Sequence, residues 1–197
     1  MRFITVSFVT LWSIVSIETV SAQSVAVRTN LLYDATLTPN VGLEIRLDSL
    51  WTLGINGGLH AWDIDSRPHQ NKKLRHLLVS PNVRRYLSKS DTLWRRSYIE
   101  TNLIYSHYNI SKIKFPFGLY PDAKERRFQG DLIALGGKYG YSWILARDWR
   151  IEAEAGVAVG YAWFKEYECP HCGEFLGNGD RIFLLPQLGI NVVYIIN

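Results

Sequence analysis

The sequence predicts an all-β protein: an eight-stranded antiparallel up-and-down transmembrane β-barrel with a plugged polar lumen. Three observations carry this reading. Apolar and polar residues alternate with period two in segment after segment, the pattern of strands with two unlike faces. Short turns alternate with mostly longer connections along the chain. The chain also ends on a strand, Arg181–Asn197, that is too apolar to be left unpaired. An exposed apolar strand edge recruits other strands, and a closed ring has no edge.

Composition narrows the class. The 197 residues suffice for one domain with a real interior. Aromatics make up 13%, with 7 Trp and 11 Tyr. Mean hydropathy near zero excludes a helical membrane protein and suits strands that are half apolar and half polar. The net charge of +4 is spread along the chain, without the single basic element that nucleic-acid binding requires. At the N-terminus, Arg2, the apolar stretch Phe3–Ile17 and the small residues Val20-Ser21-Ala22 read as a secretory signal peptide over 1–22. The barrel domain is then 23–197, in an oxidising compartment. Without a Cys near the cleavage point, a lipoprotein N-terminus is not expected.

Eight alternating segments follow: Val25–Ala35, Val41–Leu47, Trp51–Trp62, Arg75–Leu87, Trp94–Ile110, Gly130–Ala146, Arg150–Lys165 and Arg181–Tyr194. Asp48–Leu50, Ser88–Leu93 and Arg147–Trp149 are short turns. Asp63–Leu74, Ser111–Gln129 and Glu166–Asp180 are longer, and Thr36–Asn40 is a short exception among them. Turns at one end and loops at the other are the pattern of outer-membrane barrels, with both termini periplasmic and the long loops extracellular.

A barrel also demands that one parity of each strand face outward. Ile151, Ala153, Ala155, Val157, Val159, Tyr161 and Trp163 stand against Glu152, Glu154, Gly156, Ala158, Gly160 and Ala162. The other segments divide similarly, the fifth most weakly. In the last strand Leu188, Ile190, Val192 and Tyr194 face out, while Gln187 and Asn191 face in. Away from strand ends, the inward parity collects Arg28, Arg46, Arg84 and Lys138 against Glu44, Glu100, Glu152 and Glu154. Eight strands enclose an interior that side chains just fill. Buried charges there must be paired, so this set predicts a lumenal ion-pair network and no open pore. A soluble β-barrel would invert the faces. Trp51, Trp62, Trp94, Trp143, Trp149 and Trp163 at strand ends favour the membrane form, as an interfacial girdle. The architecture is of the small OmpA/OmpX-like type.

The stretches Arg28-Thr29-Asn30-Leu31-Leu32-Tyr33-Asp34, Thr38-Pro39-Asn40-Val41-Gly42-Leu43-Glu44 and Val79-Ser80-Pro81-Asn82-Val83-Arg84-Arg85-Tyr86 resemble domain-of-unknown-function family 3575. Its members look like small outer-membrane barrels of Gram-negative gut and oral bacteria, often encoded beside fimbrial genes. The resemblance covers essentially the whole mature chain and implies fimbrial or pilus proteins as partners, with no catalytic residues to carry over. Gln187, Gly189, Val192 and Tyr194 also resemble the signal read by the barrel assembly machinery, although the chain runs on through Ile195-Ile196-Asn197.

One motif has chemical character: Cys169-Pro170-His171-Cys172-Gly173. A thioredoxin-like oxidant needs a βαβ context that this chain lacks. Structural zinc needs four ligands, and Cys169, His171 and Cys172 supply three. A partner's residue would complete that set; the favoured reading is a local Cys169–Cys172 disulfide, closing a loop too short for much entropic stabilisation. A lipid-modifying barrel enzyme would pair His107 with Ser106 or Ser111. Adjacent strand residues point to opposite faces, so Ser106 and His107 do not pair. No catalytic residue and no cofactor is expected. The basic runs Asn71-Lys72-Lys73 and Lys124-Glu125-Arg126-Arg127 fall on the outer loops, where they can meet lipopolysaccharide head groups. The expected role is structural, surface-interacting or fimbria-associated, with outer-membrane lipid, lipopolysaccharide and the assembly machinery as partners. The alternatives are a lipid-modifying enzyme and a soluble periplasmic binding barrel.

Overall fold

The computed structural model describes residues 24–65, 72–87, 96–113, 121–168 and 174–196. The proposed signal peptide, Trp94 and the motif residues Cys169, His171 and Cys172 lie outside these residues. The alternating segments form the strands β1 (Val25–Asn30), β2 (Asn40–Arg46), β3 (Trp51–His60), β4 (Asp63–Asp65), β5 (Lys72–Tyr86), β6 (Arg96–Ser111), β7 (Arg126–Ile144), β8 (Trp149–Glu168) and β9 (Phe175–Ile196). The three residues of β4 continue β3 along the edge of β5. The other eight strands each pair antiparallel with their neighbours in sequence, and β9 returns to pair with β1. The ring is closed, and the apolar last strand has its two predicted partners.

The closure has a definite stagger. Paired residues lead from Val25 through Ile45, Leu53, Val83, Thr101, Gly137 and Val157 to Pro186, whereas Val25 itself pairs with Ile196. A ten-residue offset around eight strands belongs to a barrel whose strands tilt about 35–45° from its axis.

Strand also takes up Asp63–Asp65 and Lys72–Leu74 of one expected loop and Arg126–Gln129 of another, which puts Lys72, Lys73, Arg126 and Arg127 on strands rather than loops. Two further segments differ more. Leu31–Ala35, read as the end of the first strand, is a short α-helix, α1. The Asn30 side chain caps it by accepting the Leu32 N–H at 3.0 Å. Asn40 then clamps the connection. Its Oδ1 accepts from Asn30 N at 2.7 Å, and its Nδ2 donates to Asn30 O at 3.0 Å and to Asp34 at 2.9 Å. Thr29 donates to Asp34 at 2.9 Å. Side chains that satisfy the backbone locally compete with strand pairing, and so the most distinctive stretch of the sequence ends β1 early. At the other end of the chain, much of the Glu166–Asp180 connection is strand. β8 runs to Glu168 and β9 begins at Phe175, paired with Tyr167. Gly177 and Gly179 hide this strand in the sequence. Gly179 is needed because a Cβ there would lie 2.7 Å from the Phe164 ring.

The wall is therefore uneven. β1 has 6 residues and β2 has 7, whereas β7, β8 and β9 have 19, 20 and 22. Inside, the filling is layered. Tyr86, Tyr98, Val193 and Ile195 form a lower apolar layer near the short turns. The charged residues lie above it. Near the long-loop end, Ile104, Tyr108, Phe128, Leu132 and Phe164 form an apolar upper layer with Ala123, from a 3-10 turn over Pro121–Lys124. The lumen is thus plugged as expected but not polar throughout. Ile104 and Phe164 are hard to place from the sequence because the outward residues beside them, Leu103, Tyr105 and Trp163, are apolar or aromatic too, and Phe128 falls within the expected loop Ser111–Gln129.

The lumenal charge network, a candidate functional site

The network begins with the alternation, which sends one parity of β1, β2, β5, β6, β7 and β8 into a narrow interior. Arg28, Glu44, Arg84, Glu100, Lys138, Glu152 and Glu154 are all buried. Arg84 is the hub. Its Nε donates to Glu100 at 2.6 Å, its Nη1 lies 2.9 Å from Glu152 and 3.2 Å from Glu44, and its Nη2 lies 3.2 Å from Glu154. One guanidinium thus bridges four carboxylates from three other strands. Lys138 Nζ joins Glu154 at 2.6 Å to Glu100 at 2.8 Å. Arg28 stands further off, 3.5 Å from Glu44 and 3.6 Å from Glu100, and donates through Nε to Asn56 at 2.8 Å.

Seven of the eight predicted residues meet. Arg46 does not. It sits at the bottom of β2, half-buried, and its Nε donates to the Asp48 carbonyl at 2.7 Å. A strand-end arginine has solvent within reach of its long stem, so its charge need not enter the lumen. Asp48 itself anchors that turn. The Leu50 and Trp51 backbone N–H groups, at 2.6 and 2.9 Å, hold its carboxyl below the usual carboxylate range. The described network therefore contains three cations and four carboxylates, one cation fewer than the balanced set expected.

Uncharged residues complete it. The Tyr98 hydroxyl donates to Glu152 at 3.2 Å and to Glu154 at 3.1 Å, and its ring lies 4.2 Å below the Arg84 guanidinium. Thr52 donates to Glu44, and Asn102 bonds Gln187 across the lumen at 2.9 Å. Arg150 is also buried and donates to the carbonyls of Ala146, Arg147 and Trp149, tying the β7–β8 turn. Charge and parity alone do not single out Tyr98, although its inward position was readable from the strand.

Glycine makes room for these long side chains. Arg28 is paired with Gly42, Tyr98 with Gly140, Lys138 with Gly156 and Glu154 with Gly189, each across one strand boundary. A Cβ on Gly156 would meet the Gly137 carbonyl and lie 2.7 Å from Lys138 Cα, both backbone. At Gly177 a Cβ would meet nothing within 4 Å. Gly156→Ala is expected to cost about 1–3 kcal/mol by forcing β7 and β8 apart, and Gly177→Ala to stay within about 0.5 kcal/mol of the parent. Urea unfolding in detergent micelles measures both.

The carboxylates of the network are engaged by Arg84, Lys138 and Tyr98. Above it lies a cavity of about 60 Å³, lined by Asn56, Ser80, Asn102, Gln187 and Asn191 with Arg28 and Lys138. That is room for a few waters. Among the described residues, no cluster of three or more His, Cys, Asp or Glu has metal-binding geometry. Glu152→Leu is expected to destabilise the barrel far more than Val157→Leu. The first leaves Arg84 and Tyr98 short of a partner, whereas the second changes an exposed outward residue. Equal thermal shifts of the folded band on unheated gels would contradict the inward assignment.

The fold and this interior define a class: a small, closed, eight-stranded antiparallel barrel plugged by an ion-pair network. The model of DUF3575, a family described as protein of unknown function, matches residues 7–196. The chain belongs to that family. No curated protein and no solved structure matches it at a significant level.

Proposed function

We propose that the protein is a non-enzymatic outer-membrane β-barrel with a structural, surface-interaction or fimbria-associated role. The observation that carries this reading is the outer surface. Leu43, Ile55, Val83, Leu103, Leu135, Val157 and Leu188 are exposed on successive strands of the ring from β2 to β9, Leu135 by 63%. Soluble monomers rarely expose contiguous apolar patches above a few hundred Å². Here the charged parity points inward instead, so the faces are those of a barrel solvated by lipid.

Aromatic residues bracket the apolar zone. Trp149 and Tyr194 pack at 4.9 Å near the short turns, and Tyr161 and Trp163 lie toward the opposite end. Trp149 and Tyr161 are separated by twelve positions on β8, about 30 Å along the axis of a tilted strand. That height suits an apolar band with its two girdles. Both termini then lie on the periplasmic side and the long connections outside.

The enzymatic alternative gains little from the geometry. Ser106 is buried and His107 exposed on opposite faces of β6, and His107 bonds Asp131 rather than a hydroxyl nucleophile. The test is a deletion strain. Altered pili or adhesion, or a pilus protein that co-purifies with the barrel, is expected. Unchanged surface properties together with altered lipid A would contradict the reading in favour of the enzyme.

A further inference from the structure

We propose that the outer wall of β6–β9 carries a binding site for one molecule of phosphorylated glycolipid, the lipid A portion of lipopolysaccharide. The inference rests on the outer-membrane reading and specifies a ligand for it. Strand register provides the first argument. The paired outward residues Tyr105, Ile133, Tyr161 and Ile182 form one row across these strands, with Leu103, Leu135, Val159 and Leu184 below it. Above it the row is His107, Asp131, Trp163 and Asp180, and the next contains Gln129, Lys165 and Asn178. The wall changes from aliphatic and aromatic to polar within one step.

Two hollows straddle that step. The lower, about 330 Å³, is lined by Leu103, Ile133, Leu135, Val159 and Ile182. The upper, about 360 Å³, is lined by His107, Asp131, Trp163, Lys165 and Asn178. An acyl chain in the first places its head in the second. Only a lipid of the leaflet facing the long loops has that orientation.

The polar groups select the head. Asp131 Oδ1 accepts from the Tyr105 hydroxyl at 2.8 Å and from His107 Nδ1 at 2.9 Å. A carboxylate only accepts, so His107 Nδ1 carries the proton and Nε2 is the nitrogen left for a ligand. Asp180 accepts from Tyr161. These carboxylates sit at the apolar edge, where sugar hydroxyls can donate to them. Lys165 lies one row higher. Arg127 lies above that, over the Tyr167 ring and bonded to Asn109 at 2.9 Å. Both cations stand where a phosphate can accept. Choline has no donor for the carboxylates, and a simple phosphate makes no use of them. A sugar phosphate satisfies both sets, and Trp163 offers its exposed indole as a stacking face.

Native mass spectrometry of the barrel folded in detergent tests this, with lipid A, phosphatidylglycerol and phosphatidylcholine added in turn. A heat-modifiable band establishes folding beforehand. One retained lipid A is expected, preferred over both phospholipids. Lys165→Gln is expected to weaken retention about fivefold, the effect of one surface cation on an anionic head. Arg85→Gln, an outward cation on β5 beside Trp51 at the opposite end, is expected to leave it unchanged. His107→Ala provides a second variant should the first fail to fold. Equal retention of phosphatidylglycerol, or undiminished retention by folded Lys165→Gln or His107→Ala, overturns the site while leaving the membrane reading intact. A wild-type chain that never yields a heat-modifiable band overturns the membrane reading, and the site with it.

Discussion

Replacing Arg84 with methionine is expected to destabilise the folded barrel by about 3–5 kcal/mol, the cost of removing one partner from a buried ionic cluster. Glu44, Glu100, Glu152 and Glu154 converge on this guanidinium. Without it they face one another with only Lys138 and the more distant Arg28. Arg84→Lys separates charge from geometry. An ammonium keeps the charge but cannot present a planar fork to several carboxylates at once, so an intermediate loss is expected. Urea midpoints of the unheated gel band in micelles measure both variants. Parent-like stability of Arg84→Met would mean that the lumen is held by packing alone.

The second large effect is on the outer face. Val157 lies midway along β8 and is 59% exposed. Val157→Arg is expected to cost about 2–4 kcal/mol in a lipid bilayer, where an arginine on the lipid face near the midplane loses its hydration. The same change at Asn178, an exposed outward residue beyond the apolar zone, is expected to be tolerated. In a soluble barrel both sites would face water, and neither arginine would matter. Reversible unfolding from phospholipid vesicles gives the two values directly, and equal stability of the two variants would contradict a lipid-facing Val157.

Why keep so many charges in so small a lumen? An apolar filling would serve stability as well or better, because buried ion pairs seldom repay their desolvation. In a barrel whose outer face is apolar, an apolar interior would leave nothing to tell inside from outside. A one-residue register slip exchanges the two faces. The Arg84 cluster, paired across Gly42, Gly140 and Gly156, makes any slipped register place unpaired charges outside. The network thus acts on register as well as on stability.

Most of the fold was legible in the sequence because strand parity is a strong signal wherever the two faces differ. On β2, β5 and β8 the alternation of charged and apolar residues identified Glu44, Arg84, Glu152 and Glu154 as inward before any coordinates. Three features were not legible, each for a physical reason. The early end of β1 depends on Asn30, Asp34 and Asn40 bonding one another, an interaction between residues up to ten positions apart. The upper reach of β9 is concealed by Gly177 and by Gly179, which makes room for Phe164. The exclusion of Arg46 depends on its height along the strand, which alternation does not encode. The His107–Asp131 pair shows the same limit. Register brings the two residues together on adjacent strands, and no local pattern in either segment announces it.

The central claim is that lipid solvates the outer face of this barrel. Fractionation of cells producing the native protein tests it most directly. The protein is expected in the outer-membrane fraction, resistant to carbonate washing, released only by detergent and migrating as a heat-modifiable band. Recovery in the soluble periplasm without detergent would contradict the claim.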